Sequence, residues 1–162
     1  MRNTHSVALD RQDIKILEAL QQNGRLSNVE LSELVHLSAS QCQRRRQKLE
    51  ETGVVCKYIA QLDPEKIGLG VMALVSVSLD KHSEKIADAF RTAIIEYPEV
   101  LECWGVAGDA DYMLKIVAPD LKAFADVTLH RLLNLPMVSN VKSNLLLQTL
   151  KSTTELPVRW SL

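Results

Sequence analysis

Residues 27–53 read Ser-Asn-Val-Glu-Leu-Ser-Glu-Leu-Val-His-Leu-Ser-Ala-Ser-Gln-Cys-Gln-Arg-Arg-Arg-Gln-Lys-Leu-Glu-Glu-Thr-Gly. Two helix starts lie inside this stretch. Ser27 with Glu30 is a capping box, in which the hydroxyl bonds the third helical N–H and the carboxylate reaches back to the cap. Ser38 with Gln41 repeats the pattern. Leu31, Leu34 and Val35 give the first helix a short apolar face. Cys42, Arg46 and Leu49 follow at i, i+4 and i+7, and Gly53 supplies a stop. About three residues separate the two helices, the spacing of a helix-turn-helix. Upstream, Asp10 precedes Ile14, Leu17 and Leu20, which predicts an earlier helix closed by Gly24. Downstream, Val54 to Leu62 reads as a strand that Asp63-Pro64 breaks.

Beyond residue 70 the rhythm changes. Val71, Ala73, Val75, Val77 and Leu79 alternate with other residues, the period of a strand. Ser83 to Tyr97 carries helical spacing and ends before Pro98. Val100–Ala107 and Tyr112–Val117 read as strands joined by Gly108-Asp109-Ala110-Asp111. A second helix runs from Pro119-Asp120 to Asn134, and Val138–Leu150 is a last strand. The order βαββαβ predicts an α+β fold: an N-terminal winged helix-turn-helix followed by a ferredoxin-like domain. The expected boundaries are 1–62, a hinge at 63–70, and 71–162. Two helices cover one face of such a sheet, so its second apolar face predicts a homodimer.

Composition narrows the function classes. The chain has 162 residues, 46% apolar and 24% charged, a globular profile. Its longest nearly apolar stretch, Val71–Val77, is far short of the ~20 residues that span a bilayer. The polar start Met1–His5 lacks a signal-peptide core. Three cysteines without a CxxC pair point away from a disulfide framework or a zinc finger. His5, His36, His82 and His130 are scattered without ligand spacing, so no metal or cofactor is expected. No GxSxG, P-loop or dinucleotide fingerprint is present. A cytoplasmic protein without catalytic activity is the expectation.

Net charge is −1 overall, but four of the five residues from Arg44 to Lys48 are basic. A solvated helix face is the simplest reading of such a run; its place after a helix and a tight turn favours a contact surface. On a wheel with Cys42 at zero, Ser40, Gln41, Arg44, Gln47 and Lys48 fall between about 140° and 260°, opposite the apolar stripe. Arg suits guanine edges, Gln suits adenine edges and Lys suits phosphates. With Ser38 at the cap and Arg45 in the basic run, these are the candidate contacts to double-stranded DNA. Arg46 falls on the inner stripe, where its stem packs and its head snorkels to the edge.

Leu9-Asp10-x-x-Asp13-x-x-Ile16-Leu17, Asn23–Ser32, Leu37-Ser38, Cys42, Arg45, Leu49-Glu50 and Gly53-Val54-Val55 together resemble the N-terminal domain of the Lrp/AsnC (feast/famine) family. Gly108-Asp109-Ala110-Asp111-Tyr112 is similar to that family's effector loop, and the resemblance runs from about residue 9 to 158. It implies a transcription factor that binds DNA as a homodimer, with assembly to an octamer and an amino acid between dimers. Two positions depart from the pattern. His36 stands where the family usually has Gly, in a turn that expects a left-handed residue, and Arg46 stands where Val or Ile is usual.

The Gly108–Tyr112 segment can be a plain strand connection. Chemically it can also offer backbone N–H groups to a carboxylate and Asp109 or Asp111 to an ammonium. The resemblance sets an effector against this loop and a neighbour's last strand, where Asn144, Leu146 and Gln148 share one parity. The apolar Leu145-Leu146-Leu147 run favours an aliphatic or sulfur-containing free amino acid. Two alternatives remain beside the regulator: an enzyme similar to the sirohaem decarboxylases, and an amino-acid-sensing assembly module that does not bind DNA.

Overall fold

The computed structural model describes residues 7–80 and 83–161. The expectations for Met1–His5 and His82 lie outside the described residues. Contacts divide the chain into two compact units, Leu62–Leu150 and Met1–Gln61 together with Lys151–Leu162. The tail from 151 onward, expected in the second domain, therefore packs with the first.

The first unit holds α1 (Arg11–Gln22), α2 (Asn28–Val35) and α3 (Ala39–Glu51). All three begin with a complete capping box, at Asp10/Asp13, Ser27/Glu30 and Ser38/Gln41. Each box satisfies N–H groups that have no partner inside the helix. Ile16, Leu17, Leu20, Leu31, Val35, Cys42 and Leu49 form the core. His36 ends α2 at φ 57°, ψ 48°, the left-handed residue that the turn requires. Gly53 after α3 also has positive φ. Gly24 does not, contrary to expectation: a Cβ there would lie 2.9 Å from Tyr58 Cδ1, so close approach selects the glycine. Val158 packs on this core, Gln21 exchanges hydrogen bonds with the backbone of Leu156, and Arg159 pairs with Glu18.

Val54–Leu62 is not a strand. No described segment of the chain pairs with it, and Ile59 and Leu62 stay exposed. The segment has no ladder to join, so the wing is absent among the described residues of the single chain.

The second unit follows the expected order. It comprises β1 (Val71–Leu79), α4 (Glu84–Ile95), β2 (Val100–Gly105), β3 (Tyr112–Ala118), α5 (Leu121–Ala125) and β4 (Val138–Leu145). α5 continues through π-helical turns over Asp126–Leu132. The strands lie in the order β2-β3-β1-β4, every pair antiparallel. Ala73, Val75, Val77 and Leu79 of β1 and Tyr112, Leu114, Ile116 and Ala118 of β3 pack with Phe90, Ile94, Phe124, Val127 and Leu132 in one core. The other sheet face carries partly exposed Met72, Leu74 and Met113 and the exposed Trp104.

β4 stops at Leu145 rather than Leu150. Ala73 pairs with Leu145 and β1 begins at Val71, so the ladder has little strand left beyond that point. Leu146 makes one further bond, its N–H donating to the Met72 carbonyl at 2.9 Å.

Candidate nucleic-acid interface and ligand site

α3 positions the first candidate site. Burial of Cys42 and Leu49 against α1 and α2 turns the opposite side of the helix outward, and Ser38, Ser40, Gln41, Arg44, Gln47 and Lys48 are all exposed there. Arg44 and Lys48 carry no ion pair among the described residues. The cap uses part of the remaining polarity. Ser38 Oγ accepts from the Gln41 N–H at 3.2 Å, and Gln41 Oε1 accepts from the Ser38 N–H at 3.0 Å. That leaves the Gln41 amide nitrogen to donate outward. Gln47 Nε2 donates to Glu51 Oε1 at 2.8 Å. The face thus presents two exposed cations and amide donors beside a positive helix end, a chemistry suited to phosphates and base edges.

Arg45 is placed differently from the rest of the predicted set. Its Nη1 donates to Asp10 Oδ2 at 2.7 Å and Asp13 Oδ1 at 2.6 Å, tying α3 to the start of α1. Its side chain is 25% exposed, and these two carboxylates raise its pKa further. Arg45 is therefore a fastener between helices, one helical step off the outer face.

Arg46 was expected to snorkel, and its partners are specific. Nη1 donates to the Leu26 carbonyl at 2.8 Å, and Nε donates to Glu50 Oε1 at 3.1 Å and Tyr58 Oη at 3.0 Å. The Tyr58 hydroxyl in turn donates to Glu50 Oε1 at 2.8 Å. That bond, with the Arg46 guanidinium, holds the Glu50 carboxyl below the usual range. Sequence reasoning did not find Tyr58, because it lay in an assumed strand.

The second candidate site is the loop between β2 and β3. The Val106 N–H donates to the Asp111 carbonyl and the Asp111 N–H to the Val77 carbonyl, both at 3.0 Å. Asp111 Oδ2 accepts from the Leu79 N–H at 2.7 Å, so this carboxylate fixes the loop to the end of β1. Gly108 adopts φ 148°, which side chains rarely tolerate. Clefts flank the loop on both sides. One, of about 640 Å³, is bounded by Ser83, Ala87, Arg91, Val106 and Asp111. The other, of about 340 Å³, lies between Gly108 and Asp109 on one side and Ser76, Ser78, Asn140 and Lys142 on the other.

Tyr112 is 9% exposed and its ring lies 4.6 Å from that of Phe90, so it belongs mainly to the core and reaches the larger cleft with its edge. The expected last-strand residues are not brought to the loop within one chain. Asn144 pairs across from Leu74, while Asn140 and Lys142, opposite Ser78 and Ser76, stand beside the loop. Leu146 and Gln148 lie past the end of β4. Asn140 and Lys142 share the parity of Asn144. The missing signal was which end of β1 meets the loop.

Comparison with known proteins covers both units. Residues 9–50 match the AsnC-type helix-turn-helix domain and residues 72–156 match the Lrp/AsnC ligand binding domain. The DNA-binding transcriptional activator DecR of Escherichia coli K12 is 40% identical over 151 residues, 93% of this chain and 99% of that protein. The leucine-responsive regulatory protein of the same strain is 35% identical over 151 residues, 93% of this chain and 92% of that protein. A crystal structure of a Neisseria meningitidis transcriptional regulator in complex with L-Met superposes with a TM-score of 0.92 at 42% identity. That alignment covers 96% of this chain and 100% of the other.

Proposed function

The chain belongs to the Lrp/AsnC family of DNA-binding transcriptional regulators, and on that premise we propose how its residues divide the work. Duplex DNA is held by Ser40, Gln41, Arg44, Gln47 and Lys48, with Arg44 reading a base edge and Lys48 meeting a phosphate. The observation that carries this is the unpaired pair Arg44 and Lys48 on the exposed face of a capped α3. Ser38 presents the helix end, and Arg45 acts through the geometry of α3.

The effector is a free amino acid at the Gly108–Tyr112 loop. Backbone N–H groups around Gly108 take its carboxylate, and Asp109 faces its ammonium. A sulfur-containing or aliphatic side chain is favoured, in line with the L-Met held by the meningococcal regulator. Asn144, Leu146 and Gln148 belong to this site through a neighbouring subunit. Copies pair through the open sheet face that carries Met72, Leu74, Met113 and Trp104, and such homodimers assemble further toward an octamer. The protein works in the cytoplasm as a regulator without catalysis; a sirohaem-decarboxylase-like activity would instead give a Soret band on tetrapyrrole addition.

Selection from a randomised duplex pool tests the reading. It should enrich an inverted repeat with half-sites one or more helical turns apart. Enrichment of no sequence, or of one without two-fold symmetry, would refute it.

A further inference from the structure

We propose that Tyr58 is a positioning residue for DNA recognition, a latch that pins the segment after α3, Lys57–Gln61, to the recognition helix. The inference rests on the DNA-binding reading above. It comes from the one feature of α3 that departs from an apolar seam. Arg46 sits between fully buried Cys42 and 2%-exposed Leu49, where a guanidinium needs partners to be tolerated. It finds them on three segments: the Leu26 carbonyl before α2, Glu50 on α3 and Tyr58 in the segment after it.

Tyr58 closes the set. Its hydroxyl accepts from Arg46 and donates to Glu50, and its ring lies 4.8 Å beneath the guanidinium. Its ring also fills the space that Gly24 leaves open. After the Val55 N–H bond to Leu49 and the Cys56 thiol bond to Gly53, no hydrogen bond of Lys57–Gln61 to the first unit is found among the described residues except those of the Tyr58 hydroxyl. Tyr58 is therefore the last residue of this segment hydrogen-bonded to the helices among the described residues, and it steadies the C-terminal half of α3, which carries Gln47 and Lys48 and adjoins Arg44. Losing it loosens their alignment without removing any DNA contact, so specific binding suffers and phosphate attraction does not.

The test uses the full chain with two probes: the duplex most enriched from a random pool and a scrambled duplex of equal length. Tyr58→Phe removes only the hydroxyl. Gly24→Ala pushes the ring away from another element, at a backbone conformation that alanine accepts. Both variants should lose about tenfold in affinity for the enriched duplex, the scale of one or two charge-assisted hydrogen bonds. Affinity for the scrambled duplex should stay near wild type, while the melting temperature falls by a few degrees, since the same hydrogen bonds are lost to the folded state. Trypsin cleavage after Lys57 should accelerate about tenfold on the same scale. Unchanged cleavage in both variants overturns the latch. Unchanged affinity for the enriched duplex, or parallel loss on both duplexes, overturns the positioning role. A wild type that treats the two duplexes alike instead refutes the DNA-binding reading, whatever cleavage does.

Discussion

Arg45 Nη1 lies 2.6 Å from Asp13 Oδ1, and the Asp13 side chain is only 6% exposed. A cation of α3 is thereby engaged within the protein, which leaves Arg44 as the base-reading residue of the proposed interface. Arg45→Ala should leave the Asp13 carboxylate without its cation and lower stability by about 2–3 kcal/mol, since a nearly buried carboxylate loses its partner. Urea unfolding measures this. Arg45→Lys should restore only part of the loss, because one ammonium cannot span Asp10 and Asp13 as the guanidinium does.

Acid should weaken the same corner. The Asp13 N–H and Arg45 hold the Asp10 carboxyl below its usual 3.8. A folded pKa below the unfolded one gives stability that is present above the unfolded value and lost as pH falls through the carboxylate range. Asp10→Asn keeps a capping side chain but cannot titrate. Melting curves between pH 6 and pH 3 should fall less steeply for that variant than for wild type, and identical slopes would assign the acid sensitivity to other carboxylates.

His36 occupies the left-handed region at φ 57°. A non-glycine side chain is strained there, so His36→Gly should raise stability by about 0.5–1 kcal/mol, net of the greater chain entropy of glycine. A drop in melting temperature would show that the imidazole makes a compensating contact.

Much of this architecture was legible in residue chemistry alone. Two capping boxes at Ser27 and Ser38 and the alternation over Val71–Leu79 located the helix-turn-helix and the first strand, because both signals are local. What failed depended on distant partners. Val54–Leu62 reads as a strand and has no neighbour to pair with among the described residues. β4 ends early because β1 begins at Val71. Among the candidate DNA contacts, the ties of Arg45 were not legible because its partners, Asp10 and Asp13, lie more than thirty residues upstream. At the loop, Asp111 was read as an ammonium partner, yet one of its oxygens holds the Leu79 N–H.

That tie separates the two loop carboxylates. Asp111→Ala removes the acceptor of the Leu79 N–H, so it should displace the loop and reduce amino-acid binding through geometry, whereas Asp109→Asn should reduce it through charge. Gly108→Ala meets open space but a φ of 148°, so it should deform the loop with little change in the core. Calorimetry with L-methionine and L-leucine should show loss of binding for Gly108→Ala and Asp109→Asn. Equal binding by all three variants and wild type would move the pocket elsewhere.

Within the DNA face, two substitutions should behave differently. Arg44→Ala should cost ~1–3 kcal/mol on the selected duplex and relax preference at one base position. Lys48→Ala should weaken all duplexes alike and lower the salt slope by roughly one unit. Binding isotherms across a salt series separate the two.

On the proposed function, an amino acid at the Gly108–Tyr112 loop and DNA at α3 are thermodynamically linked, each changing the affinity for the other. The most direct test is the dissociation constant of the selected duplex, measured by fluorescence anisotropy without and with saturating L-methionine or L-leucine. The account predicts that at least one of them changes that constant about tenfold, a coupling of ~1.4 kcal/mol. An unchanged constant, with calorimetry showing the amino acid bound, would contradict it.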